Sequence, residues 1–148
     1  SPSQLTVSTS FVKDGTGTVT LVGVNTYSGY TVLDAGLLQL GASDVIANSS
    51  NVIFDGGRLN TGGYSESFGT LSVLAESSSV TLGSGSHTLS FSGLGTLDYK
   101  TLTINGWVGT AGSGGSDGVL RVGNSLSFTR AQLDQFKFSY SSATYSSL

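Results

Sequence analysis

The chain has 148 residues, which suits one domain with a core of its own. Charged residues make up 10% and the formal net charge is −3, with six Lys and Arg scattered singly, so no basic stripe exists to neutralise nucleic-acid phosphates. No apolar run approaches the roughly 18 residues of a membrane span, and the absence of Cys excludes a disulfide framework or a thiolate metal site.

The remaining composition points to an all-β chain. Gly contributes 22 residues, about twice its usual share, and Ser and Thr fill much of the rest. A polar, uncharged surface with frequent turns suits short strands, and regularly recurring apolar residues argue against disorder. Met is absent and the chain begins SPSQL, so a processed or excised segment is expected, with a secretory signal ahead of it.

In chain order, residues 1–12 (SPSQLTVSTSFV) form an uncharged N-terminal strand segment. Asp14-Gly15 then turns the chain into the alternation of Val19 and Leu21. Val32 follows, and Asp34 precedes Leu38 and Leu40. Val52 and Phe54 lead to the turn at Asp55-Gly56 and to Leu59. Leu71 and Val73 come before Glu76, which precedes Val80 and Leu82. Leu89 and Phe91 come before Asp98, which precedes Leu102 and Ile104, and a turn is expected at Asn105-Gly106. Asp117 precedes Leu120 and Val122. Residues 129–136 (TRAQLDQF) read as a short helix: Thr129 can cap it, and Leu133 and Phe136, three apart, can seal the end of a core.

These elements repeat. Acids stand at positions 14, 34, 55, 76, 98 and 117, a period of about 20 residues, and an apolar strand starts a few positions after each. A second series, through Val32, Val52, Leu71 and Leu89, recurs at nearly the same interval. Each unit of about 20 residues therefore carries two short strands. A hairpin barrel does not need such a period, whereas a β-solenoid does, because each coil is one repeat and every strand stacks on its counterpart. Val19, Leu38, Leu59, Val80, Leu102 and Leu120 should then form one inward column. An antiparallel sandwich is the alternative, since Asp-Gly and Asn-Gly are also hairpin signals. The expected layout is a single solenoid domain over 1–148, with coils at 13–123 and a C-terminal cap and tail at 124–148.

The candidate sites are few. Asp14, Asp34, Asp55, Glu76, Asp98 and Asp117 would stack at one corner about 4.8 Å apart. They suit either Ca²⁺ held by hard oxygen ligands or plain turn chemistry, in which Asp bonds its own backbone, and the second is preferred. Residues 112–120 (GSGGSDGVL) match much of a calcium-binding nonapeptide, but as a single imperfect copy they read as a loop. His87 is the one histidine, and general-base or zinc roles need partners that the sequence does not place near it. Trp107, Tyr27, Tyr30 and Tyr64 could stack against sugars or close solenoid corners. Asn48-Ser-Ser is a glycosylation-type sequon. No nucleophile elbow, phosphate-binding loop or Cys-His pairing is present, so neither catalytic, cofactor-binding nor metal residues are assigned.

Residues 17–23 (GTVTLVG), followed by Asn25-Thr26-Tyr27-Ser28-Gly29, Thr31-Val32 and Gly36-Leu37-Leu38-Gln39-Leu40-Gly41, resemble the autotransporter-associated β-strand repeat of bacterial passenger domains. Tyr30 stands where that family often has Gly. The C-terminal half, with Leu102-Thr-Ile104, Trp107, Gly109, the Gly-rich 112–118 and Phe128 to Phe138, resembles the closing module of such proteins. In those proteins the region often leads to an anchoring tail, whereas this chain stops at TYSSL. The resemblance covers roughly residues 15–140. It implies a right-handed parallel β-helix, exported and displayed at the bacterial surface.

The functional expectation is a non-enzymatic extracellular structural protein that self-associates end to end or by strand addition into fibres or matrix. An adhesin or glycan-binding module is the alternative, and a polysaccharide-active enzyme the third reading. Neither nucleic acid nor a cofactor is expected.

Overall fold

The computed structural model describes residues 9–98, 100–106, 109–110, 114–115, 118–122, 136–140 and 143–146. It is an all-β solenoid with two strands per coil. The first coil holds β1 (Phe11–Lys13) and β2 (Thr18–Leu21), and the second β3 (Thr31–Leu33) and β4 (Leu37–Leu40). The third holds β5 (Val52–Phe54) and β6 (Arg58–Asn60), the fourth β7 (Glu66–Val73) and β8 (Ser79–Thr81), and the fifth β9 (His87–Leu94) and β10 (Leu102–Asn105). Beyond them come the two-residue antiparallel pair β11 (Gly109–Thr110) and β12 (Gly114–Gly115), then β13 (Gly118–Val122), β14 (Phe136–Tyr140) and β15 (Ala143–Ser146).

The coils stack into two sheets. One runs β1-β3-β5-β7-β9-β13 and the other β2-β4-β6-β8-β10-β14-β15. All pairings in them are parallel except β14 with β15, which turns back antiparallel. No antiparallel pairing among the described residues joins β2 to β3; β2 instead pairs β4 in parallel, as a solenoid requires and a sandwich does not. No helix among the described residues is long and apolar enough to cross a membrane.

Period-2 alternation points one face of each strand into the core between the sheets. In the second sheet Val19, Leu38, Leu59 and Val80 stand in register, one from each of the first four coils. The column continues through Ile104 and not Leu102, because Ile104 pairs Val80. Leu120 belongs to the other sheet, where it stacks on Leu89. The step from Val80 to Ile104 is longer than any step before it in the column, so the fifth coil is enlarged and the expected register slips by two.

The first sheet holds two inward columns. Thr31, Val52 and Leu71 make one, with Phe11 below and Leu94 above, and Lys13, Leu33, Phe54 and Val73 make the other. Val32 therefore faces outward, paired with Ile53. Leu89 and Phe91 stack on Glu66 and Phe68, not on Leu71 and Val73, because β7 and β9 are eight residues long and begin earlier in the coil. Phe68 and Phe91 lie face to face, ring centroids 5.2 Å apart. The core is a continuous file of buried Leu, Ile, Val and Phe, each contributing about 1.5–3 kcal/mol on burial.

The helix expected over 129–136 is contradicted at its last residue: Phe136 opens strand β14, in register with Leu102. The alternation of β-favouring residues in FKFSY outweighs the two apolar residues three apart. Residues 129–135 lie outside the described ones.

Corners between the two sheets are made by glycines. Gly36 has φ +73°, and a Cβ there would overlap Gly15 O, Gly17 O and Lys13 Nζ. Gly15 has φ +74° and nothing within 4 Å of the same position. We expect Gly15→Ala to lose only backbone strain, about 1 kcal/mol, and Gly36→Ala to lose about 2 kcal/mol more from the overlap. Urea unfolding of the two variants side by side checks the difference.

Candidate functional site

The acidic corner follows the first sheet. Asp14, Asp34 and Asp55 each come directly after β1, β3 and β5, and all three side chains are exposed, as are Glu76 and Asp98. Their main chain carries the stacking: Asp34 N donates to Lys13 O (2.8 Å) and Asp55 N to Leu33 O (2.9 Å), one coil earlier. Asp14 Oδ1 accepts from Gly15 N (2.7 Å), a local turn bond. Glu76 Oε2 accepts from Thr101 N (3.2 Å), and Asp98 takes a positive φ of 48°. No group of three or more His, Cys, Asp or Glu suited to a metal is found among the described residues. The local side-chain turn bond is therefore seen at Asp14, while Glu76 bonds the main chain of the next coil. Asp117 and Trp107 lie outside the described residues; of the nonapeptide-like stretch read as a loop, Gly114–Gly115 form β12 and residues 118–120 begin β13.

Lys13 supplies what the sequence did not reveal at this corner. Its side chain is buried in the inward column, and Nζ donates to Asp14 O (2.7 Å), Gly15 O (3.0 Å) and Ala35 O (3.3 Å). An ammonium with three carbonyl acceptors satisfies all its donors and ties the first corner to the second.

A second polar cluster is buried at the opposite corner. Glu66 is 1% exposed, and its Oε2 accepts from Val45 N (2.8 Å) and Ile46 N (3.1 Å), while Oε1 accepts from Ser67 N (3.2 Å). Asn25 Nδ2 donates to Val45 O (3.0 Å) and to Gly23 O (3.0 Å). Tyr27 is fully buried, stacked near Phe11, with its hydroxyl 2.7 Å from Thr31 Oγ1, which lies 2.8 Å from Ser50 Oγ. Ser50 Oγ donates on to Gly29 O (2.8 Å). These side chains close backbone groups that the corner, lacking strands, leaves unpaired. Asn48 is exposed, but the third residue of its sequon is this buried Ser50.

His87 belongs to the scaffold as well. Nδ1 lies 2.7 Å from Gly85 O, so it carries the proton. Nε2 then accepts from the Thr61 hydroxyl (2.8 Å), whose oxygen takes the Gly83 N–H (2.8 Å). Tyr27 is core, while Tyr30 and Tyr64 are exposed. Tyr30 directly precedes β3, whereas Tyr64 lies well before Thr70, the residue in the equivalent place of β7. Of the aromatic residues singled out in the sequence, the described ones therefore divide into a buried Tyr27 and an exposed Tyr30 and Tyr64 at different places in the coil. The sequence reading did not single out Glu66; its alternation with Phe68 is the one signal that marks it as inward.

The comparisons fit this architecture. Residues 11–40 match the passenger-associated-transport-repeat, and those limits run from the first residue of β1 to the last of β4. One matching unit is thus two stacked coils. The adhesin BmaC autotransporter of Brucella suis biovar 1 (strain 1330) is 40% identical over 60 residues, which is 40% of this chain and 2% of that protein. Both bear out the resemblance to autotransporter passenger repeats. The matched segment is a small part of that adhesin's length. No solved structure matches the chain significantly.

Two expectations test these readings. Burial pushes the Glu66 carboxyl up to about 7, against the pull of the three backbone donors, and the Asp44 charge adds to the rise. Between the unfolded value near 4.5 and about 7 the folded state binds more protons, so stability from this group is full below 4.5 and is lost as pH rises through 7. The loss is on the order of 3 kcal/mol. Glu66→Gln should flatten this part of the stability profile, because an amide oxygen still accepts from Val45 and Ile46. Denaturant midpoints from pH 4.5 to 8 for both proteins check it. At the acidic corner, EDTA should leave the melting temperature unchanged; a rise of several degrees in millimolar Ca²⁺ would show a metal site there.

Proposed function

We propose that this chain is a non-enzymatic section of a surface-displayed bacterial passenger, a stiff solenoid whose outer faces make adhesin-like contacts. The observation that carries the reading is the coincidence of the passenger repeat, residues 11–40, with two in-register parallel coils. The partly matching adhesin supports the same role. Each coil advances the structure by about 4.8 Å, so repeats lengthen a rod while leaving its outer side chains free for contact. Such a role needs display outside the cell and no catalytic constellation.

Self-association is the second reading, favoured by one observation. Among the described residues β1 and β2 are the outermost strands of their sheets at the same end, the edge to which a strand of another copy would add. Lys13 opposes this, because an inward charge on an edge strand is one of the devices that discourage pairing. Surface glycans are the other class of ligand.

Beads coated with the purified chain should adhere to cultured mammalian cells at least several-fold above albumin-coated beads. Adhesion no better than albumin, or turnover of an acidic polysaccharide, would overturn the reading. Light scattering at high protein concentration decides whether copies assemble.

A further inference from the structure

The outer face of the first sheet carries an ordered pattern that packing within the coil does not use. In β1, β3 and β5 the inward residues alternate with outward ones, and the outward ones stack in three columns. The central column is Val12, Val32 and Ile53, held in register by parallel pairing. Val12 is 56% exposed, and Val32 and Ile53 are partly exposed. In the fourth coil Ser72 takes that position, so the apolar column spans three coils.

Two different borders flank it. On one side, one residue before each strand, stand Ser10, Tyr30 and Asn51, with Tyr30 49% exposed. On the other side, directly after each strand, stand Asp14, Asp34 and Asp55, all exposed. Lys13 lies beneath this corner and binds its carbonyls, which offsets part of the acids' mutual repulsion without covering them. Arg58, the exposed base beyond the corner, begins β6 in the other sheet. In the fourth coil the position after the strand is Leu74, so the acidic border ends where the apolar column ends.

We propose that this three-coil face is a docking surface for a protein segment that alternates apolar and basic residues. The apolar column gives such a segment a place for one set of side chains, and the acidic border, one pleat away, takes Lys or Arg from the other set. Charge complementarity selects this occupant. A second copy of this chain brings the same acids and a net charge of −3, so it is opposed. The face measures about three rungs of 4.8 Å by two pleats of 7 Å, far less than the roughly 800 Å² per partner of a stable interface. A single contact is therefore weak, and charge governs its rate and orientation. Useful strength comes from several contacts at once. The proposal rests on the adhesin-like reading and adds the face and the partner's chemistry to it.

The test is a titration of the isotope-labelled chain with the peptide acetyl-Lys-Val-Lys-Val-Lys-amide, followed by NMR. The Glu-for-Lys peptide and a glucosamine oligomer serve as comparisons. Saturable shifts should centre on residues 10–14, 30–34 and 51–55, and weaken at least about fivefold when salt rises from about 20 to about 300 mM. Asp34→Asn with Asp55→Asn, and separately Val32→Thr with Ile53→Thr, should each weaken binding about fivefold or more, with melting checked to confirm the fold. Shifts elsewhere, absence of saturation, equal response to the acidic peptide or to the glucosamine oligomer, or folded variants that bind like the parent would overturn the proposal. If a variant fails to fold, the shift map of the parent chain decides. Coated beads separate the two levels: beads that adhere equally with parent and variants sink the face but keep the adhesin-like role. Non-adherent beads sink that role and leave the peptide titration to judge the face.

Discussion

Every part of this structure depends on hydrogen bonding between each coil and its neighbours. Strand residues bond their counterparts one full coil away, and the corners do the same. Gly29 N donates to Thr9 O, Asn25 N to Val45 O, Gly41 N to Leu21 O and Asp55 N to Leu33 O. The two strands of each of the first five coils lie in different sheets, so they bond the coils above and below and not each other. That constraint fixes the approximate repeat length, the parallel sense and the in-register stacking of like residues.

Stacking like on like suits Leu, Val and Phe, and it is difficult for charges and for corners. Buried polar side chains deal with the corners. Asn25, Ser50, Thr61, Glu66 and His87 each bond main-chain atoms where the strands stop. No buried side-chain donor or acceptor among the described residues is left without a partner. Their residue types differ from coil to coil, so the corners are solved individually while the strands are solved by repetition. This division explains why Glu66 tolerates burial: three backbone N–H groups converge on its carboxyl, although desolvation still keeps its proton affinity high.

The division also leaves the outside of the coil free to vary. Outward residues are constrained by strand propensity and not by packing. The column of Val12, Val32 and Ile53 gives way to Ser72 without disturbing the inward columns beside it. A solenoid can in this way vary its outer face while keeping its shape. Lys13 shows the converse at the first coil, where an inward place in an otherwise apolar column holds a cation that ties two turns together.

The repeat period and the two apolar alternations in it pointed to a parallel solenoid, because stacked coils bring residues one period apart into register, and the parallel pairing of β2 with β4 then excluded the antiparallel sandwich that Asp-Gly and Asn-Gly had left open. The same spacing placed Val19, Leu38, Leu59 and Val80 in one column and the acids at the turns. Register beyond that was a tertiary decision. β7 and β9 start several residues early, which moves Leu89 onto Glu66 and brings Ile104, two residues beyond Leu102, over Val80. Coil length there is set by corner packing, which alternation does not encode. The buried roles of Lys13, Glu66 and His87 also came only from the structure. A lone polar residue reads as surface in sequence, and only the converging carbonyls and N–H groups of a neighbouring coil, brought close by folding, make its burial favourable.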